Sequence, residues 1–202
     1  RSKFFCRLAS DSFSEVPKNI KGDLSFPLEE VLNEIDAKTK LIVICNPNNP
    51  TGTLVSLEEI KRILDKAKKF DAIVYIDEAY AEFSKLSASS LINDYENLII
   101  TRTFSKAFGL CSLRIGYVIT NKDLISEMIK IRGPYDINMA AYFAAKAALD
   151  DIKNVEDYVN EVMNEAKPMV EEFFKKNDIK YFSSSANFIF LSISSILAIG
   201  SH

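Results

Sequence analysis

Short runs of apolar residues alternate with amphipathic stretches along residues 28–119. Four runs, at residues 41–45, 72–76, 98–101 and 115–119, have the length and β-branched composition of strands, and the first is typical of a strand buried on both faces. Between the first two, Ser56 and Glu59 have the spacing of a capping box that begins a helix. This alternation predicts the α/β class, with a mostly parallel sheet sandwiched by helices.

Beyond residue 121 the apolar spacing becomes helical. We expect a helix around residues 124–129, an alanine-rich helix over residues 138–150, and a long third helix that Pro168 bends or splits. The apolar run at residues 187–191 then predicts a strand of another sheet. We therefore divide the chain into a large domain, residues 1–133, and an interdomain helix with part of a smaller C-terminal α/β domain, residues 134–202.

Composition excludes several classes of function. The formal net charge is -3 and basic residues form no block, which argues against nucleic acid as a partner. The longest apolar stretch, residues 188–199, is interrupted by serines and is shorter than the ~20 residues of a membrane-spanning helix. The single histidine, His202, excludes histidine-based triads and zinc sites, so we expect no metal. The cysteines Cys6, Cys45 and Cys111 lie far apart, which favours reduced thiols and a cytoplasmic protein.

A dense set of reactive side chains follows the third apolar run. Thr103, Ser105 and Lys106 come directly after it, and Arg114 lies eight residues beyond the lysine. A lysine amine condenses with an aldehyde, while hydroxyls and the fixed fork of an arginine suit a phosphate dianion. The set therefore suits a phosphorylated carbonyl compound. Taken alone, Lys106 is also compatible with a solvated surface lysine.

Two other predicted strands also end in polar residues. Asp77 closes the second run, and the sequence Asn-Pro-Asn-Asn-Pro-Thr-Gly, residues 46–52, follows the first. In isolation the aspartate suits a helix N-cap, and the loop suits a strand-to-helix turn. Ligands of α/β sheets bind at the carboxyl ends of the strands, so these segments are expected at one edge with the lysine.

Together these segments resemble the fold-type I aminotransferases that use pyridoxal 5'-phosphate, and especially the histidinol-phosphate aminotransferase family. Residues 103–117 are similar to the family's lysine loop in its Ser-Lys-Ala-Phe-Gly-Leu form. Residues 77–80, Asp-Glu-Ala-Tyr, and residues 46–52 are similar to two further motifs of the family. The family usually has Ala-Gly where this chain has Cys111-Ser112. The resemblance covers most of residues 27–191. Two parts expected of a complete family member, the glycine-rich opening segment and the C-terminal arginine, are absent from this sequence.

The resemblance implies catalytic roles for three residues. Lys106 would bind the aldehyde of the cofactor and, once released, serve as the base. Asp77 would pair with the ring nitrogen of the cofactor and keep it protonated. Tyr80 would donate a hydrogen bond to the ring phenolate oxygen, and Asn49 would bind the same oxygen as a cofactor-binding residue.

Other site residues follow from the same resemblance. Thr103, Ser105 and Arg114 are expected to bind the cofactor through its phosphate. Tyr135 and Asn187 lie in segments with a thinner resemblance and are expected at the substrate site. A packed aromatic ring and a strand-edge turn explain these last two residues equally well.

The implied reaction is amino transfer between histidinol phosphate or imidazole acetol phosphate and glutamate or 2-oxoglutarate, in histidine biosynthesis, by a homodimer. Three alternatives stay open: a catalytically incomplete fragment of such an enzyme, the related phosphothreonine decarboxylase, and an aromatic aminotransferase. Residues 107–110, Ala-Phe-Gly-Leu, favour the aminotransferase over the decarboxylase. A nucleotide-binding domain would need a glycine-rich loop after the first strand, and residues 46–52 do not provide one.

Overall fold

The computed structural model describes residues 12–18 and 22–192. Its main sheet has four strands in the order β1 (Leu41–Cys45), β2 (Ile73–Asp77), β3 (Leu98–Thr103) and β4 (Gly116–Thr120). The first three are parallel, and β4 runs antiparallel to β3 because the connection between them turns back without a crossover helix. The predicted strands and the mostly parallel sheet are therefore confirmed.

Helices α1 (Leu28–Glu34) and α2 (Leu57–Lys68) pack on one face of this sheet. The predicted capping box begins α2: the Ser56 hydroxyl accepts from the Glu59 N–H, and the Glu59 carboxylate accepts from the Ser56 N–H. The apolar side of α2 joins the even-numbered strand residues in one core, which includes Ile44, Ile60, Ile63, Leu64, Val74, Ile76, Leu98 and Ile100. A short helix, α3 (Ala81–Ser84), follows β2.

The odd-numbered residues of β1, β2 and β3 point to the opposite face, because successive side chains of a strand alternate. Leu41 and Val43 are 52% and 44% exposed on that face. The expectation that the first strand is buried on both faces is therefore wrong for these two residues. The cause is the position of α1 and α2, which cover the even-numbered side chains.

The second half of the described chain is mostly helical, with α4 (Lys122–Ile131), α5 (Met139–Asp150), α6 (Ile152–Glu161) and α7 (Lys167–Lys176). A π-helical turn, Val162–Ala166, separates α6 from α7, and Pro168 lies in the first turn of α7. Proline provides no N–H and its ring displaces the preceding turn, which accounts for the wider π-helical geometry. Pro168 was expected to bend or split the long helix; the structure shows a change of helix type just before it, with a helical backbone at both junctions.

Two short strands, β5 (Tyr181–Phe182) and β6 (Phe190–Leu191), form a separate antiparallel sheet. The strand predicted over residues 187–191 is thus reduced to its last two residues. Residues 184–188 pack elsewhere: Ala186 and Phe188 join Tyr80 and Val159 in a second apolar cluster. Within the described ranges, no helix is both long and apolar enough to cross a bilayer.

Candidate active site

Asp77 is the last residue of β2 and lies at the carboxyl edge of the parallel strands. In the register of the sheet it stands between Cys45 of β1 and Thr101 of β3. One oxygen of its carboxylate, Oδ1, accepts a hydrogen bond from the Ala79 N–H at 3.1 Å. Burial raises the pKa of Asp77, while this hydrogen bond and the positive charge of Lys106 oppose the rise. The site therefore has a half-buried carboxylate within the electrostatic reach of a lysine.

Asn49, Tyr80 and Lys106 come together from three separate loops. The Asn49 amide, in the loop after β1, donates to the Tyr80 hydroxyl at 2.9 Å. Tyr80, which follows β2, is 6% exposed, so its ring is fixed by packing. The Lys106 Nζ lies 5.2 Å from the centroid of this ring, while the lysine side chain as a whole is exposed. The structure thus brings the predicted lysine, tyrosine and asparagine into one set of contacts.

The lysine loop is closed by its own hydrogen bonds. The Thr103 hydroxyl accepts from the Ser105 N–H at 3.1 Å. The Leu110 N–H donates to the Phe104 carbonyl at 2.9 Å, and the Phe104 N–H donates to the carbonyl of Ile115 at 3.2 Å. These bonds hold Ser105 in a compact turn that presents Lys106 toward the neighbouring strand end.

Arg114 lies at the end of this loop in the left-handed region of backbone conformation, with φ of 55°. Its guanidinium Nη1 donates to the Cys111 carbonyl at 2.7 Å, and the side chain is exposed. In the described residues Arg114 does not take part in the contacts among Asn49, Tyr80 and Lys106. Its predicted role near a phosphate stays a prediction.

The asparagine-proline loop is fixed from both sides. The buried Asn46 side chain donates to the Val55 carbonyl at 2.9 Å and accepts from the Val55 N–H at 2.8 Å. At the other end, the Gly52 carbonyl accepts from the Ser185 N–H at 2.8 Å. A β-carbon on Gly52, whose φ is 73°, would lie 2.0 Å from the Ser184 Oγ. Only glycine therefore allows the segment around Ser184 to pack against this loop.

The two predicted substrate residues have different surroundings. Asn187 is exposed, but its neighbour Phe188 packs edge to face on Tyr80, with ring centroids 5.0 Å apart. The contact between Phe188 and Tyr80 therefore places Asn187 near the Tyr80 side of the site. Tyr135 is 95% exposed and, within the part of the chain that the structure describes, does not join the contacts around Lys106.

A buried ion pair next to the site was not predicted from the sequence. Glu78 is fully buried and accepts from Nε and Nη2 of Arg102 at 3.0 and 2.9 Å. Each residue adjoins a predicted site residue, Asp77 or Thr103, at the end of its strand. The available signal was the pairing of opposite charges at the ends of two adjacent apolar runs. No group of metal-binding side chains was found in residues 12–18 and 22–192.

Comparison with known proteins establishes the family. The profile of the family described as aminotransferase class I and II matches residues 5–196. The chain belongs to this family. The chain is 37% identical over 179 residues to the histidinol-phosphate aminotransferase of Caldanaerobacter subterraneus subsp. tengcongensis, a match that covers 87% of this chain and 49% of that protein. The chain thus spans about half the length of the curated relatives that it matches.

Solved structures of aminotransferases and related enzymes confirm the fold. The histidinol-phosphate aminotransferase from Sinorhizobium meliloti in complex with pyridoxal-5'-phosphate matches with a TM-score of 0.75 and 26% identity, over 88% of this chain and 48% of that chain. The L-threonine-O-3-phosphate decarboxylase from Porphyromonas gingivalis matches with a TM-score of 0.69 and 27% identity, over 82% of this chain and 51% of that chain. The predicted α/β fold and the predicted family resemblance are confirmed.

Proposed function

We propose that this chain is the cofactor-facing part of a pyridoxal 5'-phosphate aminotransferase that acts on histidinol phosphate or imidazole acetol phosphate with glutamate or 2-oxoglutarate. The observation that carries the proposal is the meeting of Asn49, Tyr80 and Lys106 beside the Asp77 carboxylate. The sequence identity to histidinol-phosphate aminotransferases supports the proposed substrate. The similar structure from Sinorhizobium meliloti is a complex with pyridoxal-5'-phosphate, which supports the proposed cofactor.

The donors and acceptors in the site fit this cofactor. Lys106 offers an exposed primary amine, the group that reacts with an aldehyde. Asp77 offers a half-buried carboxylate, the group that pairs with a protonated pyridine nitrogen. The Tyr80 hydroxyl and the Asn49 amide lie 2.9 Å apart and form a pair that suits a ring oxygen.

Thr103, Ser105 and Arg114 are the residues proposed to bind the phosphate. The Thr103 oxygen already accepts from the Ser105 N–H, so its own hydroxyl hydrogen is available to an acceptor elsewhere. Arg114 uses Nη1 for the Cys111 carbonyl. An arginine has five N–H donors in a planar fork, so binding a phosphate does not require this bond to break.

The side chains divide the work of amino transfer. When bound, pyridoxal phosphate supplies an electron sink for the negative charge that develops at the substrate α carbon. Asp77 would hold the proton on the ring nitrogen, and Tyr80 with Asn49 would fix the ring by donating to its oxygen. Lys106 Nζ would take the proton from the substrate α carbon as a base and would then, as an acid, deliver it to the C4' atom of the cofactor. The centroid of the Tyr80 ring lies 5.2 Å from this amine.

We also propose that the full-length protein is a cytoplasmic homodimer and that the large domain ends near residue 133. The separate pairing of β1–β4 and of β5–β6 supports this boundary. Exposed apolar side chains around α5 support association between copies. Met139, Tyr142 and Phe143 are 66%, 53% and 59% exposed and lie at the spacing of one helix face.

The test is a titration of the chain with pyridoxal phosphate, followed by borohydride reduction and peptide mapping. We expect a visible absorbance band and a reduced adduct on Lys106. Lys106→Ala should abolish both, because the reacting amine is removed. Lys146→Ala, which removes an exposed lysine paired with Asp150 on α5, is the matched control and should keep them.

The outcomes separate the alternatives. An adduct that persists on other lysines in the Lys106→Ala protein would refute the cofactor site. A specific adduct with amino transfer from glutamate supports the proposed reaction, and one with carbon dioxide release from phosphothreonine supports a decarboxylase. A specific adduct with neither reaction identifies a fragment that keeps the cofactor site and lacks the rest of the catalytic machinery.

A further inference from the structure

Glu78 is the one charged residue that is buried among residues 12–18 and 22–192. Its carboxylate is completely satisfied by hydrogen bonds. Oε2 accepts from Nε and Nη2 of Arg102 at 3.0 and 2.9 Å and from the Ser87 hydroxyl at 2.8 Å, while Oε1 accepts from the Ala88 N–H at 2.7 Å. A buried carboxylate with this many donors is held in one position, since any displacement leaves a charge unpaired.

These hydrogen bonds attach two separate parts of the structure to Glu78. The bonds from Ser87 and Ala88 close the loop that begins at Glu78 and contains Tyr80. The bonds from Arg102 join that loop to the end of β3. The Glu78 N–H also donates to the Thr101 carbonyl at 2.9 Å, which continues the pairing of β2 with β3 past Asp77.

The ion pair lies behind the site and does not face it. Successive residues of a strand point to opposite faces, so Glu78 points away from the face that carries Asp77, and Arg102 points away from the face that carries Thr103. Thr103 in turn fixes the turn to Lys106 through the Ser105 N–H. A rigid connection of a few residues therefore runs from the Asp77 carboxylate through Glu78 and Arg102 to the lysine loop.

We propose that Arg102, acting through Glu78, is a positioning residue that sets the placement of Lys106 relative to Asp77. The proposal rests on the function proposed above, because it matters for catalysis only if these two groups face one cofactor. Arginine suits this role because its planar fork binds one carboxylate oxygen through two nitrogens. Lysine keeps the charge but offers a single flexible ammonium, so Arg102→Lys loosens the connection without removing the positive charge.

The experiment measures the influence of Lys106 on Asp77 in the chain without cofactor. The Asp77 carboxyl is titrated by carbon-13 NMR in the parent chain and in Lys106→Met, and again with Arg102→Lys present in both. In the parent pair, Lys106→Met should raise the pKa of Asp77, because the lysine charge lowers it. In the Arg102→Lys pair this rise should be lost.

A milder variant and a matched control complete the design. Ser87→Ala removes one donor to Glu78 and should reduce the rise in part, which keeps the test decisive if Arg102→Lys does not fold. Arg62→Lys alters an exposed pair, Arg62 with Glu29 at 2.8 Å, and should leave the rise intact.

Two results would overturn the proposal: a rise of equal size in the parent, Arg102→Lys and Ser87→Ala backgrounds, or no rise in the parent. A purely structural ion pair would lower the melting temperature and leave the rise unchanged. Because this readout needs no cofactor, it is independent of the adduct on Lys106. A parent chain that forms no adduct but shows the Arg102-dependent rise would refute the proposed function and leave the positioning role standing.

Discussion

Replacing Gly52 with alanine probes the contact that joins residues 184–188 to the asparagine-proline loop. Alanine in the left-handed region costs about 1 kcal/mol. In addition, the new β-carbon would lie 2.0 Å from the Ser184 Oγ and 2.9 Å from the Ser184 Cα. To relieve this clash the segment around Ser184 would have to move, and overpacking of this kind costs about 1–3 kcal/mol. Gly52→Ala should therefore lower the free energy of unfolding by about 2–4 kcal/mol.

Gly109 provides the control, because its φ of 69° is similar and a β-carbon there would meet no atom within 4 Å. Gly109→Ala should cost only the conformational part, about 1 kcal/mol. The assay is urea and thermal denaturation of both variants. A difference of ~2 kcal/mol between them corresponds to roughly 4–8 °C in Tm for a chain of this size. Equal losses in the two variants would refute the claim that packing against Ser184 requires glycine.

Three further predictions concern the site and the core. Asp77→Asn should stabilise the cofactor-free chain relative to the parent as pH rises above 3.8, the ordinary pKa of the unfolded aspartate. The pKa of Asp77 is raised in the folded chain, so ionising it between pH 3.8 and the folded pKa lowers the stability of the parent. Equal stabilities of the two proteins in denaturant titrations across this pH range would contradict the effect. Ser56→Ala should cost about 1 kcal/mol by removing the cap of α2, whereas Ser126→Ala, away from any cap, should change little in the same denaturation assay. Ile63→Ala should cost about 2–5 kcal/mol, since the side chain is fully buried, and a loss below ~1 kcal/mol on calorimetry would show that the core collapses around the gap.

The features that depend on neighbouring residues could be predicted from the sequence. The capping box at Ser56, the irregular helical turn before Pro168 and the runs that became β1 to β4 each follow from local rules of spacing and backbone geometry. The position of Asp77 at a strand end also follows, because the apolar run stops there. The meeting of Asn49 with Tyr80 was predicted from the family motifs and from the parallel order of the strands.

Local sequence rules did not predict the features that depend on contacts between residues far apart in the sequence. The pairing of Glu78 with Arg102 joins residues 24 positions apart, and no local pattern specifies which acidic side chain an arginine selects. The contact of Gly52 with Ser184 depends on how the last segment returns to the first loop. Exposure of Leu41 and Val43 follows from which face α2 covers, and an unbroken apolar run carries no information about that choice.

The alternation of the strands also constrains how this sheet can change during evolution. Asp77, Thr101 and Thr103 share one face, and Glu78 and Arg102 share the other. Losing a single residue inside β2 would therefore turn the carboxylate of Asp77 into the helix-covered core and bring an apolar side chain to the edge in its place. Substitutions within the strands are compatible with the site, but insertions and deletions are not. Gaps among related sequences should fall in connections such as residues 92–97, and a relative with a gap within β2 should have lost this chemistry.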